Sequence, residues 1–204
     1  VGFGRNTGVE LPGEQAGSLP NRKRWRASEH ASLAYGYGVA VTPLQLARAY
    51  GILATDGVLL PVSIRKRQRP PIGDQVLPAD VVMEINAMLE KVVSLEGTAQ
   101  RAMVPAYRVA GKTGTVRKLS AQGGYRDDSY QALFAGFAPV SEPRFVLVIV
   151  IDEPGLDQYY GGEVAAPVFA KIMADALRLW GVPPDAGDRA KQIVLSRQEA
   201  DVGA

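Results

Sequence analysis

Residues 110–115 read Ala-Gly-Lys-Thr-Gly-Thr, AGKTGT. A Gly-Lys-Thr run invites comparison with a phosphate-binding loop, where backbone amides and a helix N-terminus cradle the phosphates. That loop needs an earlier glycine at position 106, where this chain has Ala106, and a helix directly after the threonine. After Thr113 the chain runs GTVRKL, whose glycine and β-branched residues start a helix poorly. Both requirements fail. The stretch reads instead as a strand, with Lys112 and Gly114 turned to one face and Thr113 and Thr115 to the other. Glycine lets a substrate backbone approach closely, and a lysine beside threonine hydroxyls favours a carboxylate.

Outward from that strand, predicted over 108–116, two more lie at 130–138 and 144–152. The segment between the first two, RKLSAQGGYRDD (117–128), is polar and long enough for a flap or binding rim. The third strand carries FVLVIVI, apolar at every position, and is expected to be buried on both faces at a sheet centre. A closing helix is predicted over 164–180, with Val168, Ile172, Ala176 and Leu179 on its buried face.

On the N-terminal side, the first thirty residues are rich in Gly, Pro and Asn and read as loops. Thr42 is placed to cap a helix, with Pro43 at its first position, Gln45 completing a capping box, and Leu46, Tyr50 and Leu53 at helical spacing. Asp56-Gly57 ends it, and residues 58–63 read as a strand. A second helix opens at Pro78, lines Val82, Ile85, Leu89 and Val92 along one face, and stops at Gly97. Helices, then strands joined by short turns, then a closing helix indicate an α+β fold, an antiparallel sheet flanked by helices. Residues 1–180 are expected to form one unit, and 181–204 a polar, disordered tail.

Composition sets the outer limits. The 204 residues are 47% hydrophobic and 22% charged, ordinary for a globular domain with a real core. With a net charge of +2 the balance selects no polyanionic partner, and the clusters RKRWR (22–26) and RKRQR (65–69) sit on no nucleic-acid module and read as solvated. There is no cysteine for thiolate chemistry, and the single histidine, His30, offers no imidazole cluster, so neither a metal nor a cofactor is expected. The longest apolar run, 145–151, falls far short of the ~20 residues that span a bilayer. The chain opens at Val1 without a methionine, in VGFGRNTGVELPGE, and is expected to be a piece of something longer.

The segments VGFGRNTGVELPGE, LPNRKRW, LAYGYGVAVTPLQLARAY, AGKTGT, GYRDDSYQALFAGFAP, VIVIDEP and YYGGEVAAPVF occur in one order. Together they closely resemble the C-terminal part of the transpeptidase domain of a class B penicillin-binding protein, and the Tyr-Gly-Tyr-Gly segment resembles the cell-division type of Gram-negative bacteria. The resemblance covers roughly residues 1–184 and implies the penicillin-binding transpeptidase and serine β-lactamase fold, here as a partial domain. It implies a D,D-transpeptidase that cross-links peptidoglycan stem peptides ending in D-Ala-D-Ala through an acyl-serine intermediate and is acylated by β-lactams. It also implies division-protein partners and an N-terminal anchor holding the whole protein at the periplasmic face of the inner membrane. On this resemblance Lys112, Thr113, Gly114 and Thr115 are the catalytic strand. Lys112 tunes the site, the Thr113 and Thr115 side chains bind the terminal carboxylate, and the Thr115 amide serves the oxyanion hole. Tyr130, Tyr159 and Tyr160 match an aromatic wall that contacts substrate.

One departure matters. The family's serine lies in a Ser-x-x-Lys motif and its helper in Ser-x-Asn, and no Ser-x-Asn occurs in this sequence. One Ser-x-x-Lys does, SIRK at Ser63–Lys66. It ends a predicted strand and runs into RQRPP, so Ser63 and Lys66 point to opposite faces, unlike a serine and lysine one helical turn apart. The quartet is expected to be a decoy, and these 204 residues alone to be inactive. The alternatives are part of a serine β-lactamase or elongation-type enzyme, against which the Tyr-Gly-Tyr-Gly segment and the long polar loop argue, and a non-catalytic peptidoglycan-binding or division-scaffold module.

Overall fold

The computed structural model describes residues 1–20, 26–120, 124–155 and 157–187. Four helices are present among them: α1 Ala27–Ala34, α2 Pro43–Ala54, α3 Ala79–Val92 and α4 Gly161–Leu179. The strands are β1 Val58–Leu59, β2 Asp74–Gln75, β3 Ala110–Leu119, β4 Tyr125–Ala138 and β5 Phe145–Asp152. β1 and β2 form a two-residue antiparallel ribbon, and β3, β4 and β5 an antiparallel sheet in that order. In the large sheet Lys112 lies opposite Ala135, and Ala135 opposite Val148. The α+β reading, and the neighbourhood expected for the AGKTGT strand, both hold.

The capping box at α2 forms as the spacing predicts. The Gln45 N–H donates to Thr42 Oγ1 at 3.1 Å, and the Thr42 N–H to Gln45 Oε1 at 2.9 Å. Gln45 also does something no local pattern shows: its Nε2 donates to the carbonyls of Arg5 (2.8 Å) and Ala16 (2.7 Å), and it is buried. Two turns of the N-terminal loops are thereby pinned to the start of α2.

The core lies between the sheet and α4. Phe134, at the centre of β4, meets Phe169 of α4 edge-on with ring centroids 4.6 Å apart. Around them are packed Ala138, Ala165, Ala166, Met173 and Leu177, with Leu147, Ile149 and Ile151 of β5 against the cluster. The opposite alternation of β4, Ala135 and Phe137, is also buried. β4 is therefore the central strand, and a Cβ on Gly111 would stand 2.5 Å from Phe134 Cζ, so that glycine makes room for the ring.

Several expectations change. FVLVIVI is not at the sheet centre: β5 flanks β4, is half-buried, and leaves Val150 exposed. An unbroken apolar run cannot say which neighbours a strand has. The buried face of α4 is Ala165, Ala166, Phe169, Met173 and Leu177, whereas Val168, Ile172 and Leu179 are exposed. Both stripes have helical spacing, and the true one, rich in alanine, brings the helix axis closer to the sheet. The strand expected over 58–63 shrinks to Val58–Leu59. In the polar 117–128 segment, residues 117–119 belong to β3 and 125–128 to β4, with a register irregularity between Arg117 and Leu119, while 121–123 lie outside the described residues. α1 was not expected, since none of its residues is buried and no apolar stripe marks it.

Residues 181–187, expected with the polar tail, pack against the base of β3. Val182 and Ala186 are buried, and the Arg108 N–H donates to Asp185 Oδ1 at 2.7 Å. The rest of that tail, 188–204, and most of the basic cluster 22–26 lie outside the described residues. Replacing the buried Gln45 by alanine strands the carbonyls of Arg5 and Ala16 and half of a helix cap. Gln45→Ala is expected to cost about 2–3 kcal/mol, read as a lower urea midpoint with an unchanged slope.

Candidate functional site

The pairing with β4 decides which backbone groups of β3 are occupied. The Tyr130 carbonyl accepts the Glu153 N–H at 2.9 Å, so the backbone of even-numbered β4 residues turns toward β5 and that of odd-numbered residues toward β3. Their partners Ala110, Lys112, Gly114 and Val116 are consumed in the β3–β4 ladder. Gly111, Thr113, Thr115 and Arg117 therefore present N–H and C=O on the outer edge of β3, which pairs with no other strand among the described residues.

Lys112 and Gly114 share one face and Thr113 and Thr115 the other, as alternation requires. The structure reunites them at the edge. The exposed Lys112 side chain curls around it, and its Nζ donates to the Thr113 carbonyl at 3.0 Å and to Thr113 Oγ1 at 3.1 Å. An ammonium, a hydroxyl and outward backbone amides thus converge on one strand edge, a donor set suited to a carboxylate.

Thr115 has a second partner. Its Oγ1 accepts the N–H of Gly161, the first residue of α4, at 3.1 Å. The contact depends on glycine at 161: a Cβ there would lie 2.3 Å from the Leu133 carbonyl oxygen and 2.5 Å from that of Gly114. At Gly162 a Cβ would lie 2.5 Å from the Thr98 carbonyl oxygen. The helix predicted from 164 starts three residues earlier, its first turn resting on the sheet backbone at Gly161 and on the Thr98 carbonyl at Gly162. Gly114 is confined in turn, since a Cβ would meet the Leu133 side chain at 2.8 Å.

Tyr130 is in register with Arg117 and shares the face of Thr113 and Thr115. Tyr159 stacks on it with centroids 4.2 Å apart and planes 15° from parallel, and Tyr160 stands next, 4.5 Å from Tyr159. The Tyr159 hydroxyl donates to the Tyr160 oxygen at 3.3 Å; that bond, and then the neighbouring phenols, push its pKa up, and it stays protonated at neutral pH. The structure thus brings together all the residues singled out from sequence, Lys112 to Thr115 and the three tyrosines. Ser63 does not join them. Its Oγ accepts the Arg65 N–H at 3.1 Å in an irregular bend, and Lys66 is exposed.

Sequence reasoning missed a charged cluster behind the tyrosines. Lys118 Nζ donates to Asp152 Oδ2 at 2.8 Å and to Glu153 Oε1 at 2.9 Å. Gln131 Nε2 donates to the other Asp152 oxygen at 2.9 Å, and the buried Ser129 Oγ to Glu153 Oε1 at 3.0 Å. Lys118 first, then Gln131, holds the Asp152 carboxyl below its ordinary range; Lys118, then Ser129, does so for Glu153; the two carboxylates raise Lys118. The partners lie far apart in sequence, and no spacing rule joins them.

The chain matches the family model described as "Penicillin binding protein transpeptidase domain" over residues 1–174. It is 42% identical over 205 aligned positions to the peptidoglycan D,D-transpeptidase FtsI of Escherichia coli K12, covering 99% of this chain and 34% of that protein. It is 43% identical to the probable peptidoglycan D,D-transpeptidase PbpC of Pseudomonas aeruginosa, covering 91% of this chain and 33% of that one. The apo transpeptidase domain of Burkholderia pseudomallei penicillin-binding protein 3 superposes with a TM-score of 0.83 at 44% identity, over 90% of this chain and 56% of that one. The chain thus spans about one third of the length of these curated relatives.

Gly161→Ala is expected to cost about 1–3 kcal/mol, as an added methyl does in a filled contact. Gly155→Ala, whose methyl meets nothing within 4 Å, is the control, and urea midpoints decide. The charged cluster carries a pH signature. Depressed carboxylates contribute above their ordinary range, about pH 4–5, and lose the contribution as pH falls through their folded values. The raised Lys118 contributes below lysine's ordinary value, about 10.4, and loses it as pH rises through its folded value. Hydrogen-exchange protection factors of the β3–β4 hairpin amides are expected to stay level from about pH 5 to 10 and to fall on both sides.

Proposed function

Because this chain belongs to the family of the penicillin-binding protein transpeptidase domain, we propose that it supplies the Lys-Thr-Gly strand of a serine-type peptidoglycan D,D-transpeptidase of the cell-division type. One observation carries this reading: the Lys112 ammonium folds over the outer edge of β3 onto the Thr113 carbonyl and hydroxyl.

On that edge a stem peptide ending in D-Ala-D-Ala lies antiparallel to β3, as an added strand pairing with the outward groups of Thr113 and Thr115. Its terminal carboxylate sits at Lys112 Nζ and Thr113 Oγ1. The Thr115 hydroxyl, whose oxygen already accepts from Gly161, keeps its proton to donate. The Thr115 N–H points at the oxygen of the reacting carbonyl and stabilises the charge that develops there. The nucleophilic serine and its lysine come from outside these 204 residues. Serine oxygen bonds to the carbonyl carbon, the C–N bond breaks, and terminal D-Ala leaves with the proton. An amine of a second stem peptide then takes the acyl group and releases the serine. A β-lactam enters by the same route, its opened ring remaining on the serine. In the cell the whole protein works at the periplasmic face of the inner membrane among division proteins.

The test uses the full-length protein and a fluorescent penicillin, with intact mass confirming each adduct. The full-length protein is expected to be acylated stoichiometrically. Lys112→Ala is expected to slow acylation about 10²–10³-fold, like loss of a main transition-state donor. Thr115→Val slows it less, because the backbone N–H survives, and Ser63→Ala has no effect. Residues 1–204 alone form no adduct. An undiminished Lys112→Ala protein overturns the role given to the strand, and an unreactive full-length protein supports a non-catalytic module instead.

A further inference from the structure

We propose that Lys118, with Asp152 and Glu153, is a positioning clamp that sets the Tyr159–Tyr160 segment over Tyr130 and so tunes which ligand side chains the β3 edge accepts. The inference rests on the transpeptidase reading above.

The backbone at Glu153 is the first observation. Its φ is +51°, in the left-handed region that a glutamate rarely adopts, and this is where the chain leaves β5. Such a conformation persists only where the surroundings over-determine it. Here they do: the Glu153 N–H donates to the Tyr130 carbonyl at 2.9 Å, while its carboxylate takes the Lys118 ammonium at 2.9 Å and the Ser129 hydroxyl at 3.0 Å. Arg126 Nη1 approaches the same oxygen at 3.8 Å.

The second observation is what that turn aims. Six residues beyond Glu153, Tyr159 lies stacked on Tyr130, and α4 begins at Gly161, whose N–H is tied to Thr115. Tyr130 is thus held twice, through its backbone by Glu153 and through its ring by Tyr159. One end of the segment is fixed by charge and the other by the glycine contact with β3.

The third is the energetics. The Lys118 side chain is 29% exposed, and the two carboxylates are exposed by 55% and 53%. Ion pairs so open to water add little stability. Their consequence is geometric, for Lys118 stands on β3 six residues after Lys112 and fastens the active strand to the start of the tyrosine segment. A peptide antiparallel to β3 has its carboxylate near Thr113 and the groups on the amino side of its reacting carbonyl near Thr115 and Arg117, opposite Tyr130. The tyrosine stack therefore meets planar or apolar groups on that side of the ligand.

The experiment measures second-order acylation rates of the full-length protein with benzylpenicillin, which carries an aromatic ring there, and with 6-aminopenicillanic acid, which carries none. Lys118→Met and Glu153→Gln are each expected to lower the ratio of the two rates about fivefold, the scale of one aromatic contact. Lys118→Arg restores the ratio, and the melting temperatures stay together. An unchanged ratio in both variants overturns the clamp. So does an equal loss with both ligands alongside a lowered melting temperature, which marks a structural role only. If the unsubstituted protein is acylated by neither compound, the transpeptidase reading itself falls and takes the clamp with it, an outcome distinct from the other two.

Discussion

The N-terminal turn of α4 touches the backbone of the sheet at Gly161, where a single added methyl would stand 2.3 Å from the Leu133 carbonyl oxygen. Much of the molecule depends on that approach. It lets the Gly161 N–H reach Thr115, brings the alanine-rich face of α4 onto the strands, and seats Phe169 against Phe134. Phe134 in turn occupies space that Gly111 leaves open. The glycines of AGKTGT and YYGG thus serve packing before they serve any ligand. A larger residue at either place would move the strand edge on which the site is built.

That edge divides its labour between side chains and backbone. Ladder bonds to β4 hold Ala110, Lys112, Gly114 and Val116, which leaves the alternate residues facing outward. A strand with a free edge is usually a hazard for association. On β3 an exposed lysine folds across the edge, adding charge where another chain would otherwise pair. In the proposed reading the same lysine receives the anionic terminus of the ligand.

Behind the edge, a network on the hairpin and the end of β5 balances charge with few buried groups. Lys118 bridges two carboxylates, each with a further donor of its own, so no carboxylate relies on the lysine alone. Its value lies in direction rather than in binding energy, because it holds Glu153 in a conformation that aims the next segment at Tyr130.

Local chemistry was readable from the residues themselves. Thr42, Pro43 and Gln45 specify a helix start with groups only three positions apart, and the capping box forms. Failure of the phosphate-loop pattern at Ala106 and the β-branched run after Lys112 marked β3 as a strand, and the ordered motifs marked the family. Tertiary packing decided the rest. Two helical stripes compete on α4, and only the partner sheet selects the alanine-rich one. FVLVIVI is apolar throughout, so its place beside β4 rather than at the centre is set by pairing, not by composition. Gln45 reaching Arg5 and Ala16, Gly161 reaching Thr115, and Lys118 reaching Asp152 and Glu153 join residues 29 to 46 positions apart. Such contacts have no periodicity to read, because they come into being only when the folded backbone brings their ends together.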